Sequence, residues 1–194
     1  MRLLVALLLF GSLATAPEAA LRSGVRHPVI GGIHLAPPPP DVTTGCRHAA
    51  KLLPFRVLCP TWLPAGWSTD VPICPTRLCL GQFSMTAYFP GPPGYVGDAP
   101  RSGHMNVWAI PLGRLTDAGL GCPGAPRAGH VFVAGAKATW FVCPSGSSLD
   151  SGHLLLQWVT SRIAYGVSAH GHSVTNRRLV LYVAQHLRRM TGTR

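Results

Sequence analysis

Hydrophobic and polar residues alternate most regularly over the last third of the chain. His153 to Val159 (HLLLQWV) and Arg162 to Ser168 (RIAYGVS) read as an antiparallel strand pair joined by Thr160 and Ser161. Asn176 to Met190 then places Leu179, Val180, Val183, Ala184, Leu187 and Met190 at intervals that gather on one face at 3.6 residues per turn, which predicts an amphipathic helix. Such a stripe must be buried against a sheet, and the upstream sequence supplies strands for one.

Arg47 to Leu53 predicts a short helix that stops before Pro54, since a residue preceding proline avoids the α region. Phe55 to Cys59 reads as a strand, and Pro60 to Gly66 as a rigid turn presenting Trp62 and Leu63 to the core. Trp67 to Ile73 and Leu80 to Phe89 read as strands flanking a hairpin tip at Cys74 to Cys79. In the second of them Phe83, Met85, Ala87 and Phe89 alternate with Gln82, Ser84, Thr86 and Tyr88. Further strands are expected at Met105 to Ile110, Val131 to Val133 and Lys137 to Cys143. The Gly- and Pro-rich stretches Pro90 to Gly103 and Pro111 to Gly129 read as loops, and Pro144 to Ser151 as a polar turn. The expected fold is α+β: an antiparallel sheet of about six to seven strands, packed by a C-terminal amphipathic helix and a short N-terminal helix.

Composition adds a compartment. Residues 1–20 have the three zones of a secretory signal peptide, with Leu3 to Phe10 as its apolar part, shorter than the ~20 residues that span a bilayer. Residues 21–45 read as a spacer containing Pro37 to Pro40, and 46–190 as one domain. The chain is therefore expected to be secreted or anchored on the outer side of the cytoplasmic membrane. Six cysteines behind an export signal read first as disulfides. Cys74 with Cys79 across the hairpin tip, Cys122 with Cys143, and Cys46 with Cys59 are the expected pairs.

The formal net charge is +11, with Lys51 and Lys137 the only lysines among 17 basic residues. Such a surface attracts anionic partners. A preference for Arg, Ala, Gly and Pro over Lys and Glu also fits a GC-rich genome, and the charges are scattered except at Arg177-Arg178 and Arg188-Arg189. These four arginines, on the outer face of the predicted helix, are the candidate ligand-binding residues. An envelope protein, an anionic lipid or a wall polymer is the partner class, with no nucleic acid.

Phe55 to Trp67 (FRVLCPTWLPAGW) resembles the opening of a bacterial extracytoplasmic domain of unknown function, itself similar to the C-terminal domain of RseB-like envelope proteins. Val133 to Ala138, Leu154 to Trp158, Ile163 to Val167 and the Ala184-bearing helix continue the resemblance, over about Ala49 to Met190. It implies a domain on the outer side of the membrane and carries over no catalytic residue. Six cysteines and two Gly/Pro-rich loops depart from the usual pattern.

Candidate chemistry is sparse. Nine histidines ask for a metal test, and His170-Gly171-His172 is the best start, with His186 or His153 to complete a site; exposed loop histidines are the ordinary alternative. Cys46, Cys59, Cys74 and Cys79 could be drawn as a zinc site, but export favours disulfides, and no Cys-x-x-Cys redox motif is present. Asp150-Ser151-Gly152-His153 packs triad residue types into consecutive positions, unlike triads assembled from distant segments. Paired acids are scarce, Asp98 and Asp117 in the long loops being the pair that would have to meet in space. The five tryptophans and Tyr165 read as core before they read as a ligand groove. The expectation is a non-catalytic extracytoplasmic binding or sensing module of a bacterial cell envelope, with no cofactor implied. The alternative is a secreted hydrolase or metal-dependent enzyme using His170, His172, His153 and an Asp.

Overall fold

In the computed structural model, which describes residues 26–70, 81–88, 103–114, 122, 125–144 and 152–191, the chain runs through twelve strands and two helices. In order these are β1 (Val29–Ile30), β2 (Ile33–Ala36), α1 (Pro40–Leu52), β3 (Leu58–Pro60), β4 (Leu63–Pro64), β5 (Ser68–Asp70) and β6 (Phe83–Tyr88). There follow β7 (His104–Pro111), β8 (Arg127–Val133), β9 (Ala136–Val142), β10 (His153–Thr160), β11 (Ile163–His170), α2 (Val174–Gln185) and β12 (Leu187–Arg189). Seven strands form one antiparallel sheet in the order β5-β6-β7-β11-β10-β9-β8, and smaller sheets join β1-β2-β4 and β12-β3. The fold is the expected α+β arrangement.

Period-two alternation divides the large sheet into two faces. Phe83, Met85 and Ala87 on β6, Met105, Val107 and Ala109 on β7, Leu154, Leu156 and Trp158 on β10, and Tyr165, Val167 and Ala169 on β11 share one face and one core. Leu179, Val180, Val183 and Ala184 of α2 and Val42, Cys46 and Ala49 of α1 close that core. The opposite face carries His153, Leu155 and Gln157, with Ser168 and His170 beside them, and Leu155 belongs to a second cluster with Cys122, Phe141 and Cys143. On this face Trp108 lies directly against its cross-strand partner Gly166, where an added Cβ would meet the indole at 2.2 Å. The first six residues of β10 and the six central residues of β11 are buried on both faces, which explains their near-continuous apolar reading.

Three elements differ from the sequence expectation. The hairpin between β10 and β11 turns at Ser161 and Arg162, one residue beyond Thr160-Ser161, both with positive φ (49° and 66°), as the primed two-residue turns of twisted hairpins require. The N-terminal helix begins at Pro40, not Arg47. Pro at the first helical position gives up an N–H that has no intrahelical partner, and Asp41 lies in the first turn. The stretch expected as a spacer thus contributes β1, β2 and the start of α1.

The C-terminal helix stops at Gln185 instead of Met190. It starts on Ser173, whose hydroxyl accepts from Asn176 N–H at 3.0 Å. At its end both the backbone N–H and the hydroxyl of Thr61 donate to the carbonyl of His186, at 3.1 and 2.8 Å. The chain then extends, and Leu187, Arg188 and Arg189 pair with Pro60, Cys59 and Leu58. Ladder hydrogen bonds from β3 replace the last helical turn that propensity alone would have added.

Disulfides join Cys46 to Cys59 (Cα–Cα 6.3 Å) and Cys122 to Cys143 (Cα–Cα 5.5 Å). The first ties α1 to β3, and the second ties the segment before β8 to the end of β9. Cys74 and Cys79, the leader, and the aspartates at 98, 117 and 150 lie outside the described residues, as does the strand expectation beyond Asp70. Among the described residues no helix is long and apolar enough to cross a membrane.

The changed end of α2 moves the expected cost of mutation. Leu179 is 1% exposed, so Leu179→Ala should lower stability by about 2 to 5 kcal/mol. Leu187 is half-buried on β12, and Leu187→Ala should cost clearly less. Urea melts of the two variants check the order, and equal losses would return Leu187 to the core.

Candidate metal centre

The register of the central strands collects histidines. His104 opens β7, His170 closes β11 and His153 opens β10. Because β7, β11 and β10 are neighbours and antiparallel, a start, an end and a start fall at the same edge of the sheet. His153 is the direct cross-strand partner of His170. One step in, Ala169 pairs with Met105, which brings His104 alongside His170 from the other side. All three lie on the face opposite α2, in a row that continues to Tyr88, the partner of His104 on β6.

One nitrogen from each of these rings lies within 4.8 Å of the other two. The closest pair is Nε2 of His104 and Nε2 of His153, 2.9 Å apart, so one ring donates to the other. Ring centroids are 4.6 Å apart for His104–His153, 5.5 Å for His104–His170 and 5.4 Å for His153–His170. His153 is 1% exposed, while His104 and His170 are half-buried. Nδ1 of His170 is buried and makes no hydrogen bond. A buried imidazole nitrogen with no hydrogen bond is costly unless something else takes its lone pair or proton.

The surroundings hold these rings in place. The carbonyl of His153 accepts from the backbone N–H of Cys143 at 2.8 Å and from Nε2 of His172 at 3.2 Å. Nδ2 of Asn176, in the first turn of α2, donates to the carbonyls of His170 and Gly171 at 2.7 and 3.1 Å. Gly171 adopts φ of 88°, which turns the chain off the sheet directly after His170. Gly152 has φ of 72°, and a Cβ there would come within 3.3 Å of the His170 ring. Glycine thus brackets the row on both strands, at the turn out of β11 and at the entry to β10.

Burial lowers the pKa of His170, and the neighbouring His153 and His172 lower it further. The neutral form favoured in this way is the one that ligates metals. The chemistry of the set is that of three imidazoles without a carboxylate among the described residues. Such a set suits zinc, copper, nickel or cobalt rather than calcium or magnesium, which take oxygen ligands. An ion bound at ~2.1 Å in tetrahedral geometry needs donor atoms roughly 3.4 Å apart. The closest pair here lies at 2.9 Å and all three fall within 4.8 Å of one another, a range that includes that spacing.

Of the residues singled out by sequence, His153 and His170 come together. His172 does not join their nitrogens: the turn at Gly171 breaks the extended His-x-His geometry and sends its ring to the carbonyl of His153. His186 is remote, stacked on Tyr182 at 4.0 Å with Nδ1 donating to the Tyr182 carbonyl. No aspartate joins the cluster among the described residues. His104 was missed because the strand was expected to begin at Met105. The available signal was parity, since His104 shares the face of Asn106 and Trp108.

The four candidate arginines do not form one helical face. Arg177 and Arg178 are on α2, and the Arg177 guanidinium is engaged, 4.7 Å over the Trp140 ring and donating to the Ala128 carbonyl at 3.3 Å. Arg188 and Arg189 are exposed on β12, where alternation points them to opposite sides.

No protein-family model matches the chain, and neither does any curated protein or solved structure.

The lowered pKa of His170 has a sign that can be measured. Its folded value lies below the ordinary 6.5, so on acidification the unfolded chain takes up the proton first. Stability of the metal-free protein should therefore fall as the pH drops through about 6.5, levelling below the folded pKa. His170→Gln should flatten that part of the profile in chelator-treated samples, and an unchanged slope between pH 7 and 5 would remove His170 as its source.

Proposed function

We propose that this chain is a non-catalytic extracytoplasmic binding module whose ligand is a divalent transition-metal ion held by His104, His153 and His170. The observation that carries this reading is the convergence of three imidazoles from adjacent strands within 4.8 Å, one of them with a buried nitrogen that has no hydrogen bond. A core histidine with an ordinary structural role finds a partner for its buried nitrogen, and His170 Nδ1 has none. Two disulfides support an oxidising compartment.

Within this reading each group has a part. His104 and His153, whose Nε2 atoms share a hydrogen bond, would exchange it for two bonds to the metal, the donor ring taking its proton on Nδ1 instead so that both rings stay neutral. His170 would supply the third bond from the half-buried side, through which the ion enters. His172 and Cys143 act behind His153 by holding its carbonyl, and Asn176 acts behind His170 in the same way. A metal-dependent hydrolase would share the three histidines and add a carboxylate base, and among the described residues no carboxylate stands in the cluster.

Zinc or cobalt titration of the mature protein tests the reading. Cobalt should give the visible absorption of a low-coordinate nitrogen site, and His104→Ala, His153→Ala and His170→Ala should each weaken binding by at least ~10-fold. His172→Ala should weaken it less, and His186→Ala not at all. At zinc concentrations about 100-fold above the dissociation constant, the melt should shift by the equivalent of ~2.7 kcal/mol. Wild-type affinity in the triple alanine variant would end the proposal.

A further inference from the structure

A second feature lies on the opposite side of the core from the histidines, where α1 meets the β3–β12 ladder. The Cys46–Cys59 disulfide joins these two elements, with its Cα atoms 6.3 Å apart. An arginine stands beside each half-cystine. Arg47 follows Cys46 on α1, and Arg188 is the cross-strand partner of Cys59 on β12. Both line one groove of about 280 Å³, together with Thr43, Thr61 and Pro60.

The groove is positive and has no internal counter-charge. No acidic side chain lines it, and neither guanidinium forms an ion pair among the described residues. Both arginines are exposed, so solvent screens their repulsion, and an anion seated in the groove could be met by both. The scaffold fixes both backbones, one through the disulfide and the other through a ladder that the Thr61 hydrogen bonds to the His186 carbonyl anchor. Thr43, half-buried on α1, adds a hydroxyl to the same groove. Two forked guanidiniums with a hydroxyl between short walls match a tetrahedral oxyanion, since each guanidinium can present parallel N–H donors to two oxygens.

The geometry points to the Arg47–Arg188 groove as a binding site for a phosphoryl group, independent of the histidine row. The phosphoryl group can belong to a lipid headgroup or be free in solution. The site refines the charged surface expected from the sequence: of the four arginines at 177, 178, 188 and 189, one takes part, and its partner comes from α1. Arg189 points away from it across β12, and Arg178 lies on α2, so both serve as charge-matched controls.

The test uses the mature, oxidised protein with inorganic phosphate, followed by amide and guanidinium NMR shifts at constant ionic strength. Arg47→Ala and Arg188→Ala should each weaken phosphate binding by ~10-fold or more, as loss of a charge-assisted pair does, while Arg178→Ala and Arg189→Ala leave it nearly unchanged. Sedimentation with phosphatidylglycerol vesicles against phosphatidylcholine vesicles then assigns the source. Retention on the anionic vesicles that phosphate competes away and Arg47→Ala abolishes identifies a headgroup, and phosphate binding without retention identifies the free ion. Equal weakening by all four variants would mean a diffuse charge effect and would overturn the proposal, as would the absence of any phosphate shift at Arg47 and Arg188.

Discussion

The register of β11 between β7 and β10 is the constraint on which the rest of this molecule depends. A slip of one residue in either pairing would carry a strand's apolar set to the wrong face. In the observed register Leu154, Leu156, Tyr165, Val167, Met105 and Val107 meet the helices. The same register leaves Gly166 where the Trp108 indole can lie flat on the backbone, a contact no other residue would allow without displacement. It also brings His104, His153 and His170 to one edge. Core and histidine row are two consequences of a single alignment, so a variant that shifts the register would lose both together.

Much of the fold could be read from the residues. Alternation located the long strands because each has one face of large apolar side chains, and the stripe from Leu179 to Ala184 located α2. What escaped was decided by contacts far away in sequence. The helix end at Gln185 depends on Thr61 capturing the His186 carbonyl, and the start of α1 within a proline-rich stretch depends on packing of Val42 into a core built by distant strands. Local propensity carries no information on either. The candidate site was half legible. His153 and His170 stood out by their place in a clear hairpin, whereas His104 lay at a strand start, the position that periodicity defines least well. His172 looked equivalent to His170 only under the assumption of an extended chain through Gly171, and the positive φ at that glycine removes the equivalence.

Charge is arranged differently from what the net value suggests. An excess of arginine over acid leaves most guanidiniums without carboxylate partners, so the chain uses other acceptors. Arg177 rests on an aromatic ring and a backbone carbonyl. The same shortage of acids shapes the histidine row, where imidazoles face one another and a neighbouring tyrosine, and where protonation of His170 is opposed by burial and by the histidines beside it.

The Cys122–Cys143 bridge borders that row, because the N–H of Cys143 donates to the carbonyl of His153. Sheet ends open most readily, and the bridge adds a covalent tie to the hydrogen bonds and packing that hold this one. If the row holds an ion as proposed, this orders the events in the lifetime of one molecule: oxidation first, then a settled histidine row, then the ion. A newly made chain in a reducing compartment would compete poorly for metal, and its capacity to hold an ion would mature only where disulfides form.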